Sequence, residues 1–152
     1  MSLKIDTKVL KEINMTYNWA QDISDMHHKF GVREWFEKNK HDKDLMDKYL
    51  EFRLSMCKEE LDETVAAYAS KDAEEVVDGL IDLCVFAIGT LDVFGVDAKE
   101  AWNRVYQANM AKSPGVKPGR PNPFGLPDLI KPEGWTAPSH DGNHGALNVA
   151  LE

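Results

Sequence analysis

The prolines of this chain are confined to one short stretch, and this distribution constrains the fold more than any other feature of the sequence. All seven lie between Pro114 and Pro138, whereas the first 112 residues contain none and only four glycines. Proline interrupts helix interiors because it lacks the backbone N–H and its ring clashes with the preceding turn. The sequence therefore predicts a helical domain, residues 1–112, followed by an irregular Pro/Gly-rich C-terminal extension, residues 113–152.

The negative charge of the chain is concentrated in one segment. The formal net charge is −8, and the window 59–82 holds nine acidic residues and one lysine, a balance equal to the whole net charge. A protein that binds nucleic acid or an anionic membrane needs a basic surface, so this balance argues against both partners. Clustered carboxylates instead supply the oxygen ligands that hard divalent cations require.

Cysteine usage and hydropathy favour a cytoplasmic protein. The two cysteines, Cys57 and Cys84, form neither a disulfide framework nor a zinc-binding spacing, and we expect buried, reduced thiols. No N-terminal apolar run resembles a signal peptide. The longest mainly apolar run, residues 76–94, contains three aspartates, so we do not expect it to span a membrane.

Hydrophobic residues recur at intervals of three or four in four segments, which predicts four helices and an all-α fold. The predicted helices run from Val9 to about Gly31, from Asp44 to Ala69, from Asp72 to Phe94 and from Ala98 to about Lys112. A short piece at residues 32–36 and a lysine-rich loop at residues 38–43 separate the first two. Short connections between such helices are typical of an α-helical bundle.

The third predicted helix is apolar on nearly every face between Leu80 and Leu91. A helix of this kind must be covered on all sides. Because one bundle of four helices covers it poorly, we expect a homodimer or homotetramer in which copies share this helix.

Four carboxylates are spaced so that they can meet across a helical hairpin. Glu60 and Glu63 share one face of the second helix, and Glu75 and Asp78 share one face of the third. In an antiparallel hairpin that turns at about residue 69, Glu63 lies opposite Glu75 and Glu60 lies opposite Asp78. Packed helix axes are about 8–10 Å apart, so the two layers can close on a divalent cation that bridges phosphate oxygens and activates water.

The same residues also have structural interpretations. The acids can form a solvated face, Glu75 can be the capping-box glutamate after Asp72, and Glu59 can be surface charge. Glu59 is otherwise a candidate outer ligand or water-orienting base beside the set. Asp82 is flanked by apolar residues, and a buried carboxylate without a partner is costly, so it needs a metal, a polar partner or a ligand.

The sequence lacks the residues that other carboxylate-based and phosphate-binding sites require. No histidine follows a glutamate by three residues, as the di-iron bundles require. The sequence also lacks an EF-hand loop, a Walker A lysine motif and a nucleophile elbow.

The acidic motifs and the elements that follow them resemble a known family. Glu59–Glu63 followed by Glu75–Asp78 resembles the E-E-x-x-E and E-x-x-D pair of the all-α nucleoside triphosphate pyrophosphohydrolases, the MazG-like superfamily. Residues 78–90, which end in Gly-Thr, and Asn109–Lys112 resemble its phosphoribosyl-ATP pyrophosphohydrolase-like subgroup. The resemblance covers roughly residues 15–112.

This resemblance implies a four-helix MazG-like bundle that hydrolyses a nucleotide between its α and β phosphates with Mg²⁺, or with Mn²⁺ in its place. The implied metal ligands are Glu60, Glu63, Glu75 and Asp78. Glu59 would be an extra ligand or position the attacking water, and Asn109 and Lys112 would contact phosphate or sugar. Asp82 would bond the base or sugar, or orient a ligand. Lys112 also suits a triphosphate as a helix-end cation, although such a lysine can simply complement the helix dipole.

Two features depart from the subgroup. Val85 stands where the subgroup often has tyrosine, and the extension after Ser113 lies outside the shared core. The extension can cover the site with Lys117 and Arg120 near the phosphates, or pack as a surface segment.

Three functions therefore remain open on the sequence. The first is hydrolysis of nucleoside triphosphates, with deoxynucleotides favoured. The second is hydrolysis of phosphoribosyl-ATP, and the third is a non-catalytic helical regulator that binds nucleotide or cation.

Overall fold

A computed structural model of the chain describes residues 18–152, which are mostly helical. Six helices lie in this part of the chain: α1 (Trp19–Lys29), α2 (Val32–Asn39), α3 (Lys43–Ser70), α4 (Ala73–Val93), α5 (Ala98–Met110) and α6 (Leu147–Leu151). Two three-residue strands, β1 (Ser113–Gly115) and β2 (Asp128–Ile130), pair antiparallel. The all-α class predicted from the sequence is confirmed.

The helix boundaries follow from side chains that satisfy the free N–H groups of each first turn. The Asn18 side chain accepts from two backbone N–H groups at the start of α1, and Asp42 accepts from the N–H of Leu45 at the start of α3. Gly31, with a φ of 75°, separates α1 from α2. The part of the predicted first helix that precedes residue 18 lies outside the described residues.

The predicted antiparallel hairpin is present as α3 and α4. Lys71 adopts a left-handed conformation (φ 63°) directly after α3, and the Asp72 side chain accepts from the N–H groups of Glu74 and Glu75 at the start of α4. The bounds of both helices agree with the sequence prediction to within one residue.

Two predicted bounds need correction. The piece at residues 32–36 is a helix that continues to Asn39, so the predicted lysine-rich loop contracts to residues 40–42. α5 ends at Met110 rather than at Lys112, because Ala111 and Lys112 form a closing turn. The chain changes direction by 115° between α4 and α5.

The buried core lies at the end of the hairpin away from its turn. Phe36 of α2, Met46 and Leu50 of α3, and Val93 at the end of α4 are buried together with Phe94. The Phe36 ring meets the Phe94 ring edge-on at a centroid distance of 5.7 Å. The acidic segment, which lies towards the hairpin turn, is therefore outside this core.

The C-terminal extension is more regular than the sequence predicted. β1 pairs with β2, and α6 brings Ala150 into the core beside Phe94. The Asn143 side chain accepts from the backbone N–H of Asp97 (2.8 Å) and donates to its carbonyl oxygen (3.0 Å). These long-range contacts order a segment whose local sequence predicts only turns. The division between a domain at residues 1–112 and an extension stays a prediction.

Among residues 18–152, helix α4 keeps apolar side chains that are exposed. Val77, Leu80 and Ile81 are 62%, 48% and 46% exposed. Cys57 and Cys84 are free thiols and are half-buried rather than fully buried. Among residues 18–152 no single helix is long and apolar enough to cross a membrane; α4 and α5 together pass that test of length and composition as a bent pair.

We expect that Gly145→Ala destabilises the protein far more than Gly142→Ala. Both glycines have positive φ (53° and 75°), so each alanine costs about 1–2 kcal/mol in backbone strain. A Cβ at residue 145 would also overlap the Phe94 carbonyl oxygen and lie 2.8 Å from the Gly95 carbonyl carbon, whereas nothing lies within 4 Å at residue 142. Such overlap costs about 1–3 kcal/mol more. Urea unfolding measures both values, and equal losses would contradict this packing of the extension.

Candidate active site

Helices α3 and α4 pack closely at Gly79, beside Thr64 of α3. A Cβ at residue 79 would overlap the Thr64 Oγ1 atom and lie 3.5 Å from the Thr64 Cα atom. Both residues are buried, and the Thr64 hydroxyl donates to the Glu60 carbonyl oxygen (2.7 Å). The absent side chain at Gly79 therefore lets the two helices meet where Glu60 and Asp78 lie.

This contact also defines which residues face one another. The contact between Thr64 and Gly79 places the centre of the hairpin between residues 71 and 72. The hydrogen bond from the Arg53 Nε atom to the Thr90 hydroxyl (3.1 Å) gives the same centre. The sequence prediction placed this centre at residue 69, because it matched Glu63 with Glu75 and Glu60 with Asp78. The observed register moves Asp82 rather than Asp78 to the level of Glu60.

The electrostatics of Glu60 agree with this register. Its carboxyl group has a raised pKa, caused first by desolvation and then by negative charge on neighbouring carboxylates. Those neighbours, in decreasing order of effect, are Asp82, Glu63, Glu59 and Asp78. Four of the other acids selected from the sequence therefore lie close enough to act on Glu60, and Asp82 acts on it more strongly than Asp78 does.

Glu75 is the acidic residue that the structure leaves apart from this group. Among residues 18–152 it is not one of the carboxylates whose charge raises the pKa of Glu60. The capping-box alternative is only half formed, since the Asp72 side chain accepts from the Glu75 N–H while the Asp72 N–H donates to the Ala67 carbonyl oxygen. The Glu75 carboxylate is thus not committed to the helix cap.

Carboxylates on facing helices are the ligand type that Mg²⁺ prefers, and their mutual repulsion is what a bound cation would offset. Glu60 and Asp82 are half-buried, whereas Glu63, Glu75 and Asp78 are exposed. Within residues 18–152 no three His, Cys, Asp or Glu side chains are gathered as a metal site. The residue types fit Mg²⁺.

Asn109 and Lys112 lie together at the end of α5. The Lys112 ammonium donates to the Asn109 side-chain oxygen at 3.0 Å. In the described part of the chain no hydrogen bond or ion pair joins either residue to the acidic group. Arg120, expected near phosphates, instead lies 3.7 Å from the Asp128 carboxylate, and the backbone N–H of Lys117 also donates to Asp128.

A second polar cluster was missed by the sequence analysis. The Asp92 carboxylate of α4 accepts from Arg33 of α2 at 2.6 Å and lies 2.7 Å from the Nδ1 atom of His27 of α1. Gly89 makes room for it, since a Cβ there would lie 2.6 Å from an Arg53 nitrogen and 3.5 Å from the His27 ring. A charged residue and a glycine inside an otherwise apolar helix are the signal that identifies this cluster, which joins α1 and α2 to the hairpin.

The residue that departs from the subgroup, Val85, lines an apolar groove of about 200 Å³ between α1 and α4. Trp19, Met26 and Ile81 line the same groove. Ile81 directly precedes Asp82, so the groove borders the acidic group along α4.

A family model described as phosphoribosyl-ATP pyrophosphohydrolase matches residues 23–109, which include the hairpin and all but one of the site residues. The missing one is Lys112. The chain belongs to this family of the MazG-like all-α superfamily, and it is a pyrophosphohydrolase, a hydrolase that acts on acid anhydrides. Comparisons with curated proteins and with solved structures returned no match.

We expect that Gly79→Ala destabilises the protein, although alanine normally stabilises a helix interior by about 0.5–1 kcal/mol relative to glycine. The overlap with Thr64 forces α3 and α4 apart, at a cost of about 1–3 kcal/mol. In a Thr64→Ala background the obstructing Oγ1 atom is gone, and the same change becomes neutral or stabilising. Urea unfolding of the four proteins measures this coupling. Equal effects of Gly79→Ala in both backgrounds would contradict the contact.

Proposed function

We propose that this protein hydrolyses the anhydride bond between the α and β phosphates of a nucleotide 5′-triphosphate group and releases pyrophosphate, with Mg²⁺ or Mn²⁺ as cofactor. The observation that carries the proposal is the close packing of α3 and α4 at Thr64 and Gly79, beside acidic residues of both helices. Desolvation, and then four of these carboxylates, raise the pKa of Glu60. Membership of a pyrophosphohydrolase family supports the same chemistry.

The family description makes phosphoribosyl-ATP the first substrate to test, ahead of the simple nucleoside triphosphates favoured by the sequence. Both kinds of substrate carry the same triphosphate group, so one catalytic site serves either. Simple triphosphates remain the second candidate because Val85, which lines the groove beside the acidic group, departs from the subgroup. These substrates occur in the cytoplasm, the compartment that the sequence predicts.

The proposed roles rest on the resemblance to the family motifs, and Glu75, which the structure leaves apart from the other acids, would have to turn towards them to take part. Glu60 and Glu63 of α3 and Glu75 and Asp78 of α4 would hold the cation, which when bound neutralises phosphate charge and lowers the pKa of water. Glu59 lies beside them and would orient the attacking water. Asp82, at the level of Glu60, would bond the sugar or base, or fix the rotamer of a neighbouring ligand.

The phosphates would be bound from the end of α5. The Lys112 ammonium is already oriented by its hydrogen bond to Asn109. A phosphate oxygen can replace or join the Asn109 oxygen as acceptor, since an ammonium group has three donors. The Asn109 amide nitrogen would then donate to a phosphate or sugar oxygen.

A nucleotide panel tests the activity. We expect pyrophosphate and a monophosphate from phosphoribosyl-ATP or from nucleoside triphosphates when Mg²⁺ is present, and no turnover in EDTA. Glu60→Gln and Asp78→Asn should each lower kcat/KM by at least about 100-fold, a loss of roughly 2.7 kcal/mol of transition-state stabilisation.

Asp62→Asn is the matched control for these variants. Asp62 belongs to the same acidic segment, but it is exposed and forms an ion pair with Lys58 on the same helix. We expect its activity to equal that of the unchanged protein. Absence of pyrophosphate release with every nucleotide would contradict the proposed function, and full activity of Glu60→Gln and Asp78→Asn would contradict the assigned ligands.

We further propose that the exposed apolar residues of α4 are covered by a second copy, which gives a homodimer or homotetramer. Val77, Leu80 and Ile81 are exposed on α4, and Leu61 and Val65 of α3 are 48% and 58% exposed. Surfaces of this kind are typical of interfaces between protein chains. Analytical ultracentrifugation at micromolar concentration should detect the oligomer, and Leu80→Glu should shift it towards monomer. A monomeric unchanged protein would contradict this proposal.

A further inference from the structure

Trp135 of the C-terminal extension is fixed against the end of α5. Its indole Nε1–H donates to the Ala108 carbonyl oxygen at 2.7 Å. That carbonyl lies in the last turn of α5, where no helical partner is present, so the indole satisfies a free acceptor. The ring is half-buried and consequently has a defined position beside Lys112.

Two lysines, Lys112 from the turn after α5 and Lys131 from the residue after β2, converge on this ring. Their Nζ atoms lie 5.1 Å and 4.8 Å from the Trp135 ring centroid. Both distances fall within the range of a cation–π contact. The distance between the two ammonium groups therefore cannot exceed the sum of these two distances. Each ammonium group also keeps N–H donors that do not point at the ring.

Two positive charges held against one ring repel each other, and the ring offsets that repulsion only in part. Cation–π contacts at exposed sites contribute about 0.5–1 kcal/mol. In the described part of the chain neither ammonium forms an ion pair with a carboxylate. The open groove of about 540 Å³ beside Trp135 is lined by Glu133 and Arg104, and Arg104 is itself paired with Glu100. An anion placed between the two lysines would compensate both charges.

We propose that Lys112 and Lys131, positioned by Trp135, form an anion subsite that binds the outer phosphates of the substrate and the released pyrophosphate. The identity of the anion rests on the proposed function. The subsite assigns a role to the extension, whose residues 113–152 lie outside the matched family region. Lys131 would contact phosphate directly, whereas Trp135 would be a positioning residue that acts through the two lysines.

The sequence separation explains why the pair was not predicted. Lys112 and Lys131 are brought together by β1–β2 pairing, in which Ser113 faces Ile130. Each lysine therefore directly adjoins a paired strand residue. This register fixes the two lysine backbones on neighbouring strand ends, so the subsite is built by the same hairpin that orders the extension.

Binding of inorganic pyrophosphate in EDTA tests the subsite apart from any metal. Tryptophan emission should change on titration, and the change should be lost in Trp135→Phe, which keeps a ring but not the N–H donor. We expect Lys131→Gln to weaken pyrophosphate binding about tenfold, as expected for one lost charged hydrogen bond. Lys131→Arg, which keeps the charge, should retain most of the affinity. Higher salt should weaken binding by the unchanged protein more than binding by Lys131→Gln.

Lys99→Gln is the matched control, because Lys99 is an exposed lysine in the first turn of α5 and has no place in the subsite. It should bind pyrophosphate as the unchanged protein does. In turnover, Lys131→Gln should raise KM with kcat largely kept, the mark of lost ground-state binding. Trp135→Phe should raise KM in the same direction.

The two proposals fail in different ways. Pyrophosphate binding that depends on Lys131, in a protein without turnover, would support the subsite and contradict the proposed function. Normal turnover with a Lys131→Gln variant whose KM and pyrophosphate affinity equal those of Lys99→Gln would overturn the subsite and leave the proposed function intact. Absence of any pyrophosphate binding by the unchanged protein would also overturn the subsite.

Discussion

The contact between Thr64 of α3 and Gly79 of α4 is the constraint on which the candidate site depends. Only a residue without a side chain lets the helices approach this closely, and the approach places Glu60 and Asp82 at one level. Carboxylate charges that lie close together repel one another, and for Glu60 this effect adds to desolvation in raising the pKa. The buried aromatic and aliphatic core lies at the opposite end of the hairpin. The acidic group is therefore separate from the residues that stabilise the fold.

The helices could be predicted from the sequence because their limits are local. Asp42, Asp72 and Asp97 each cap a helix by accepting from its first N–H groups, and local polar residues of this kind are visible in a single sequence. The acidic group was also found, since its members recur at helical spacing. The register was not, because it was inferred from the spacing of the acidic residues, whereas the observed turn is centred between Lys71 and Asp72. Moving the midpoint by about two residues moves the position opposite Glu60 by twice as many, from Asp78 to beside Asp82.

Contacts between distant segments could not be predicted from the sequence. Asp92 meets His27 and Arg33 across more than fifty residues, and the extension is ordered by hydrogen bonds from Asn143 to Asp97 and from Trp135 to Ala108. Proline and glycine correctly predicted the end of the long helices but not the structure beyond them. Their effect on the backbone is local, whereas the order of this segment comes from the helices on which it packs.

The pairing of β1 with β2 has a consequence for how the chain can vary. Gly115 faces Asp128, so residues 116–127 form a closed loop whose two ends are held next to each other. The conformational entropy lost on closing such a loop grows only with the logarithm of its length. Phe124, at 84% exposure, shows how little of this loop is buried. Insertions and deletions between residues 116 and 127 should therefore be tolerated, while the strand pairs on either side keep Lys112 and Lys131 together.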